Sequence, residues 1–332
     1  MNIYDELALV ADTKENLRLS LGLSKDVPFS QYASRIPFYL KAGNVFDFVN
    51  NQYSKDQLPV DLSDISEFIR LSSATEWQDE QFVEVQNNIP RISGDGLLIE
   101  PQSTNRIYPS NKVEWLNYNP LSTTVRMDSV GQALGVPISA LECVAPGLLR
   151  AATSGTYSNG LVPATISAVV KAEGGGRIYL TFFRTGINRG IYFDPATEEL
   201  EVIVGSDIAD YGFERLSEGF YRIWVTRVIA PSRNAAGWVH YTIGLTDADV
   251  GDRLLVTLMV SADDPTPTSP IPTHDTPATR APDILNIPLL PYQTITGDWD
   301  EGVTYEVADN IATFAGHGYI RNITLGNYDP RI

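Results

Sequence analysis

Residues 67–105, EFIRLSSATEWQDEQFVEVQNNIPRISGDGLLIEPQSTN, decide how this chain folds. Apolar and β-branched residues alternate there with Ser, Gly, Asn and Pro at intervals typical of short strands. The pattern predicts two or three short extended segments joined by tight turns. The stretch contains no nucleophile, no cluster of metal-ligating side chains and no phosphate-binding loop, so it predicts no chemistry of its own.

Strand patterns recur through the rest of the chain. Runs rich in Val, Ile, Thr, Tyr, Phe and Trp are separated by glycine-containing turns, without ten-residue helical patterns between them. This organisation predicts an antiparallel β-sandwich and excludes a parallel sheet covered by helices. The predicted strands cover residues 165–171, 177–184, 220–229, 238–245, 253–261, 303–307, 311–315 and 319–325.

The N-terminal 42 residues have a helical pattern instead. Apolar side chains recur at three-, four- and seven-residue steps and predict two short helices, over residues 2–21 and 30–36. Helices this short bury little surface alone, so we expect residues 1–42 to attach the chain to sibling copies or to another protein. A helical cap on the β domain is the alternative. The candidate attachment side chains are Leu7, Val10, Leu17, Phe29, Tyr32 and Ile36.

The patterns divide the chain into three parts. The helical segment over residues 1–42 is followed by a connector over 43–62 and a β-sandwich domain over 63–332. The connector has one candidate helix, near residues 45–50. Residues 263–282 contain six prolines, a composition typical of an extended linker.

The composition is that of a folded, acidic protein. Of 332 residues, 43% are hydrophobic and 20% are charged, and the net charge of −17 disfavours nucleic acid as a partner. No apolar run approaches the ~20 residues of a membrane helix, and the N-terminus lacks a secretory signal. We therefore expect synthesis in the cytoplasm and no membrane insertion. Cys143 is the only cysteine and has no partner for an intrachain disulfide.

Several short motifs follow one another in a recognisable order. They read F-x-R-x-S-x-A-T, P-R, G-L-L-I-E and T-N, and further segments downstream are YFDPAT (192–197), GFYR (219–222), SPIPT (269–273) and TRAPD (279–283). Together they resemble bacteriophage virion proteins that carry a jelly-roll, concanavalin A-like lectin domain, over residues 61–332. The matching residues of the first motifs are Phe68, Arg70, Ser72, Ala74, Thr75, Pro90, Arg91, Gly96, Leu97, Leu98, Ile99, Glu100, Thr104 and Asn105.

The resemblance implies a mainly β fold, an antiparallel jelly-roll sandwich with the SPIPT and TRAPD elements inside the domain. It also implies a location on the virion, as a short head, collar or tail fibre or a decoration that contacts capsid, collar or tail proteins. A homotrimer is the implied assembly, and a host-surface glycan is the implied ligand of the lectin-like sandwich. The alternatives are a purely structural decoration and a polysaccharide depolymerase.

No catalytic constellation is found in the sequence. There is no G-x-S-x-G elbow, no Cys/His metal spacing and no glycine loop that leads into a helix. The acidic turns at residues 247–252 and 298–302 lack the spacing and the distal Glu of a calcium loop. We therefore expect no enzyme activity, no catalytic residues, no cofactor and no metal.

Carbohydrate binding requires an exposed aromatic face with polar side chains beside it. Trp299, between Asp298 and Asp300 in a predicted turn, is the first candidate, and Trp238 is the second. Trp238 lies within a strand pattern, as Trp224 does, and core packing is the alternative role for both.

Overall fold

The structure is a computed structural model that describes residues 42–55, 58–111, 124–145, 147–155, 163–184, 187–203, 207–228, 239–290 and 293–327. The two predicted N-terminal helices, with Leu7, Val10, Leu17, Phe29, Tyr32 and Ile36, lie outside the described residues. The domain boundaries expected from the sequence stay predictions. In the described part, no helix has the length and apolar character that crossing a membrane requires.

Almost all regular secondary structure in the described chain is β, and every strand pairing within it is antiparallel, which confirms the mainly β prediction. One short helix, α1 (Leu62–Ile65), and one 3-10 turn (Ser217–Gly219) interrupt the strands. The strands are β1 (Ala42–Asp47), β2 (Gln52–Lys55), β3 (Leu58–Pro59), β4 (Glu67–Ile69), β5 (Ala74–Gln78), β6 (Gln81–Val85), β7 (Ile92–Ser93), β8 (Gly96–Ile99), β9 (Ser103–Asn105), β10 (Thr124–Ala133), β11 (Val136–Cys143), β12 (Gly147–Gly155), β13 (Ala164–Glu173), β14 (Arg177–Arg184), β15 (Ile187–Asp194), β16 (Glu199–Ile203), β17 (Ile208–Arg215), β18 (Tyr221–Arg227), β19 (Val239–Ala248), β20 (Arg253–Ala262), β21 (Ala278–Arg280), β22 (Ile284–Pro288), β23 (Gln293–Trp299), β24 (Val303–Ala308), β25 (Ile311–Gly316) and β26 (Gly318–Asn327).

Strands β10 to β20 form two packed sheets, which we call the central sandwich. The six-stranded sheet has the order β10-β11-β20-β13-β18-β17, and the five-stranded sheet has the order β12-β19-β14-β15-β16. Side chains alternate across each strand, so Ile178, Leu180 and Phe182 on β14 share one apolar core with Ile223 and Val225 on β18. This period of two is the pattern on which the strand predictions rest.

Strands from both ends of the described chain form a second pair of sheets, the terminal sandwich. One sheet has the order β3-β2-β1-β26-β8-β7, with β23 also paired to β26, and the other has the order β24-β25-β22-β4. Phe46, Leu97 and Ile323 of the first sheet pack with Leu285 and Phe314 of the second. Because β1 pairs with β26, both ends of the described chain close the same core.

Residues 45–50, the candidate helix of the connector, are not helical. They belong to β1 and the turn after it. Phe46 and Phe48 are both fully buried, with ring centroids 6.1 Å apart. Two buried aromatic residues at a spacing of two fit an extended chain, because a helix would turn them to different faces. Burial of this pair therefore favours a strand over a helix.

A third apolar cluster lies on the outer face of the six-stranded sheet. The β5–β6 hairpin packs there through Trp77 and Phe82, whose ring centroids are 4.8 Å apart. A bulge in β20, with Leu258 at φ 45°, adds one residue opposite β13. As a result, Leu258 joins this outer cluster, whereas Met259 joins the core of the central sandwich.

A buried ionic network connects the 67–105 stretch to the segment before β22. Arg70 Nη1 lies 3.1 Å from Asp283 Oδ1, and both side chains are 0% exposed. Arg91 pairs with Asp283 and, at 2.7 Å, with Glu100. Arg280 pairs with Glu100 at 2.8 Å. The network therefore brings charged residues of the 67–105 stretch and of the TRAPD element together at one buried point.

The proline-rich tract lies inside the fold, as the resemblance implies. Ser269 donates hydrogen bonds to Glu100 from its N–H at 2.6 Å and from its hydroxyl at 2.7 Å. Asn105 donates to the carbonyl of Ile271 at 2.8 Å and to that of Met259 at 2.9 Å. Side chains of the 67–105 stretch therefore hold the tract against the central sandwich.

Glu100 is ionised although it is buried. Burial alone raises the pKa of Glu100, but the charges of Arg280 and Arg91 and the hydrogen bonds from Ser269 lower this pKa to about 2. The folded-state pKa thus lies below the ordinary value of 4.5. The unfolded chain therefore binds this proton first as the pH falls.

Asp283→Asn should lower the free energy of unfolding by about 3–5 kcal/mol, because it leaves Arg70 and Arg91 buried without their shared carboxylate. Chemical denaturation at neutral pH measures this loss. Glu201→Gln is the matched control, because its ion pair with Arg177 is exposed and should contribute less than about 1 kcal/mol. Equal effects of the two substitutions would contradict a stabilising role for the network.

The stability that Glu100 contributes is fully present above its ordinary pKa of 4.5 and is lost as the pH falls toward 2. Urea denaturation over this acidic range should therefore show a steeper loss of stability in the wild-type protein than in Glu100→Gln, which lacks the titrating group. Parallel curves for the two proteins would show that folding does not lower the pKa of Glu100.

Candidate functional site

The turn between β23 and β24 is organised by Asp300. Its N–H donates to the carbonyl of Tyr319 at 3.0 Å, and its Oδ2 accepts from the Tyr319 N–H at 2.8 Å. Its Oδ1 accepts from Arg321 Nη2 at 2.9 Å, and its carbonyl accepts from the Val303 N–H at 2.9 Å. Both carboxylate oxygens are thus engaged within the protein, so Asp300 shapes the turn.

Gly318 allows Asp300 to approach β26 closely. A Cβ atom at Gly318 would lie 2.6 Å from the Cβ of Asp300, and the φ of Gly318 is +140°, which side chains rarely adopt. Glycine at this position therefore permits both the backbone conformation and the contact.

Trp299 is held in one orientation by neighbouring rings. Its ring centroid lies 5.8 Å from that of Tyr305 and 5.6 Å from that of Phe314, at interplanar angles of 87° and 80°. The ring also lies against Gly297, where a Cβ would be 2.7 Å from Trp299 Cζ3. Trp299 packs on the core of the terminal sandwich and is half-buried. Its indole is therefore rigid and partly open to solvent.

Asp298 differs from Asp300 in its environment. Its side chain is 59% exposed, and its single ion pair, with Arg321, is long at 3.5 Å. The hydrogen bond from the Tyr319 N–H, followed by the Arg321 guanidinium, lowers the pKa of Asp300, and Asp300 in turn raises the pKa of Arg321. The turn thus presents one exposed carboxylate beside an aromatic ring and a paired guanidinium.

The structure brings Trp299, Asp298 and Asp300 together at one turn, but it assigns them different environments. Trp238 lies outside the described residues. Sequence reasoning missed Tyr305 and Arg321, which reach the turn from β24 and β26. Both residues lie inside predicted strands, but their contact with Trp299 and the acidic pair depends on strand register, which the sequence does not show. The role of these residues in glycan contact stays a prediction.

The arrangement offers groups that can bind a ligand. An aromatic face, a carboxylate acceptor and a guanidinium donor are groups that recognise sugar rings and their hydroxyls. Across the described ranges, no group of three or more His, Cys, Asp or Glu side chains is placed to hold a metal ion.

No protein-family model and no curated protein matches the chain. Parts of it are similar to solved structures. One is a candidate sugar-binding protein from Bacteroides thetaiotaomicron, at 9% identity and a TM-score of 0.29, over 48% of this chain and 94% of that chain. Another is the CBM22-1–GH10 portion of xylanase 10B from Clostridium thermocellum in complex with xylohexaose, at 17% identity and a TM-score of 0.26, over 52% of this chain and 29% of that chain.

Gly318→Ala should destabilise the β23–β24 turn by at least about 1 kcal/mol, because the added methyl group strains the backbone and contacts Asp300. Denaturation followed by tryptophan fluorescence should report both the loss of stability and a changed environment of Trp299. Gly94→Ala is the matched control, because nothing lies within 4 Å of its added Cβ. A Gly318→Ala protein that is as stable as the control would contradict the proposed packing of the turn.

Proposed function

We propose that this protein is a non-enzymatic, glycan-binding β-sandwich protein and that the surface around Trp299 contacts the carbohydrate. The observation that carries the proposal is the support of Trp299 by Tyr305 and Phe314, which leaves a rigid, half-buried indole at a turn. Sugar rings stack on aromatic faces, and a face that is already oriented loses little entropy on binding.

Asp298 supplies the polar contact beside this ring. Its exposed carboxylate, whose ion pair with Arg321 is long at 3.5 Å, can accept hydrogen bonds from sugar hydroxyls, whereas Asp300 is occupied by Tyr319 and Arg321. The net charge of −17 repels acidic sugars. Neutral pyranose oligosaccharides are therefore the ligand class that this surface fits best.

The proposal includes a biological setting that rests on the sequence resemblance. In this setting the chain is a phage virion protein with a jelly-roll, concanavalin A-like domain, displayed on a head, collar or tail as a homotrimer. Residues 1–42 attach it to capsid, collar or tail proteins, and the sandwich contacts a host-surface glycan. Localisation of the protein on assembled particles by electron microscopy tests this part.

Trp299→Ala should weaken binding of neutral oligosaccharides about 10-fold or more, because an aromatic stacking contact is worth on the order of 1.4 kcal/mol. A glycan array identifies the bound sugars, and calorimetry with soluble cello-, manno- and galacto-oligosaccharides measures the affinity. Trp77→Ala is the matched control, because Trp77 is a half-buried tryptophan on the β5–β6 hairpin. Undiminished binding by a folded Trp299→Ala protein would contradict the site.

One observation favours a second function, contact with neighbouring protein subunits. Tyr305 and Val307 on β24 are 39% and 56% exposed and lie two residues apart, on one face of the strand. Within the described sheets, β24 lies at the edge and pairs only with β25. Exposed apolar side chains along a sheet edge are typical of protein interfaces.

A substitution on β24 distinguishes subunit contact from glycan binding. Val307→Asp places a charge on the apolar edge and should reduce self-association, measured by sedimentation, if this edge contacts other subunits. Under the glycan proposal it should leave the oligosaccharide affinity within about threefold, since Trp299 is unchanged. Loss of assembly together with unchanged glycan binding in Trp299→Ala would favour the subunit-contact function.

A further inference from the structure

Trp224 lies on the outer face of the central sandwich. On β18, Tyr221, Ile223 and Val225 point into the apolar core, and Trp224 points to the opposite side. Among the described residues it belongs to none of the three apolar clusters, and it is half-buried. A tryptophan in this position contributes little to the core, so its indole is a feature of the surface.

The indole of Trp224 is supported and oriented by strand β17. Gly212 is the direct partner of Trp224 in the sheet, and a Cβ at Gly212 would lie 2.8 Å from both Cε2 and Cη2 of the ring. The ring therefore lies flat over a residue that has no side chain. The indole Nε1–H donates a hydrogen bond to Asp210 Oδ2 at 3.0 Å, which fixes the rotation of the ring.

Carboxylates flank the ring on both sides. Asp210 and Glu214 lie two residues before and after Gly212, so all three share one face of β17. Glu214 is exposed, and Asp210 uses only one of its oxygens for the indole. Arg222, the sheet partner of Glu214, donates to the carbonyl of Thr268, and the negative charge of Glu214 also acts on its guanidinium. Free carboxylate oxygens beside the ring are acceptors for hydroxyl groups.

The edge position of β17 adds backbone groups to this surface. In the described sheet β17 pairs only with β18, so its outer N–H and C=O groups have no strand partner among the described residues. A flat ring, two flanking carboxylates and an open strand edge together match a sugar ring with its apolar face down and its hydroxyls at the rim.

We propose that Trp224, Asp210 and Glu214 form a second carbohydrate subsite, on the central sandwich, which takes a neutral pyranose. The ligand class follows from the two carboxylates and the net charge of −17, which repel uronic and sialic acids. The subsite extends the proposed glycan-binding function and rests on it. It is separate from the Trp299 surface, which belongs to the terminal sandwich.

Calorimetric titration with cellotriose, mannotriose and β-1,4-galactotriose tests the subsite by counting sites. The wild-type protein should bind the recognised trisaccharide at two sites per chain. Trp224→Ala and Trp299→Ala should each remove one site, and the double variant should remove both. A galacturonic acid trimer should bind at least about tenfold more weakly, because like charges repel at short range.

Gly212→Val supports the same test without removal of the tryptophan. Its side chain pushes the indole off β17 and should abolish the same site as Trp224→Ala, with a shift in tryptophan emission. Gly94→Ala, which meets nothing within 4 Å, is the matched glycine control. Thermal unfolding of each variant checks that the sandwich is intact. Asp210→Asn should weaken sugar binding at the same site, although its amide oxygen can still accept the hydrogen bond from the indole.

The outcomes separate the two proposals. One wild-type site that Trp299→Ala removes and Trp224→Ala leaves intact overturns the second subsite and leaves the proposed function in place. One wild-type site that Trp224→Ala removes and Trp299→Ala leaves intact supports the subsite and overturns the Trp299 surface. Absence of binding to all neutral sugars, on the array and in solution, overturns both.

Discussion

Five buried charges hold this fold together. Moving a charge from water into a protein interior costs several kcal/mol unless an opposite charge and hydrogen bonds replace the solvent. Asp283 and Glu100 meet this requirement for Arg70, Arg91 and Arg280, and each carboxylate serves two of the cations. Any arrangement of the chain that separated these side chains and kept them buried would leave a charge unpaired in the interior.

This requirement positions segments that are distant in sequence. The hydrogen bonds from Ser269 bring the proline-rich tract to the same place, and Arg70 also donates to the carbonyls of Gln86 and Ile89 at 2.8 and 3.0 Å. The start of the β region, the tract and the strands after it are therefore joined at one point. A stretch with the composition of a linker becomes part of the folded body because its polar groups are needed there.

Both candidate sugar-binding surfaces have the same geometric origin. Trp299 lies where β23 gives way to the turn before β24, and Trp224 lies next to the edge strand β17. Trp299 is partly exposed because it lies at the end of β23, and Trp224 because it points to the outer face of β18, away from the core. In both places a glycine on a strand, Gly297 or Gly212, provides room for the ring.

The sequence by itself determined the β class, the approximate strands and the acidic surface. The predicted strand over residues 177–184 coincides with β14, because alternation is a local property that each strand carries in its own residues. In YRIWVTR, the residues of β18, apolar core positions alternate with outward positions, and Trp224 falls on an outward one. The sequence therefore already contained a signal against core packing of Trp224. Only the tertiary structure decided which strands pair, how they divide between two cores, and which rings and charges meet at Trp299 and Asp283. Those contacts join residues that are far apart in the chain, and many strands are equally apolar, so only the complete set of buried pairings distinguishes one arrangement from another.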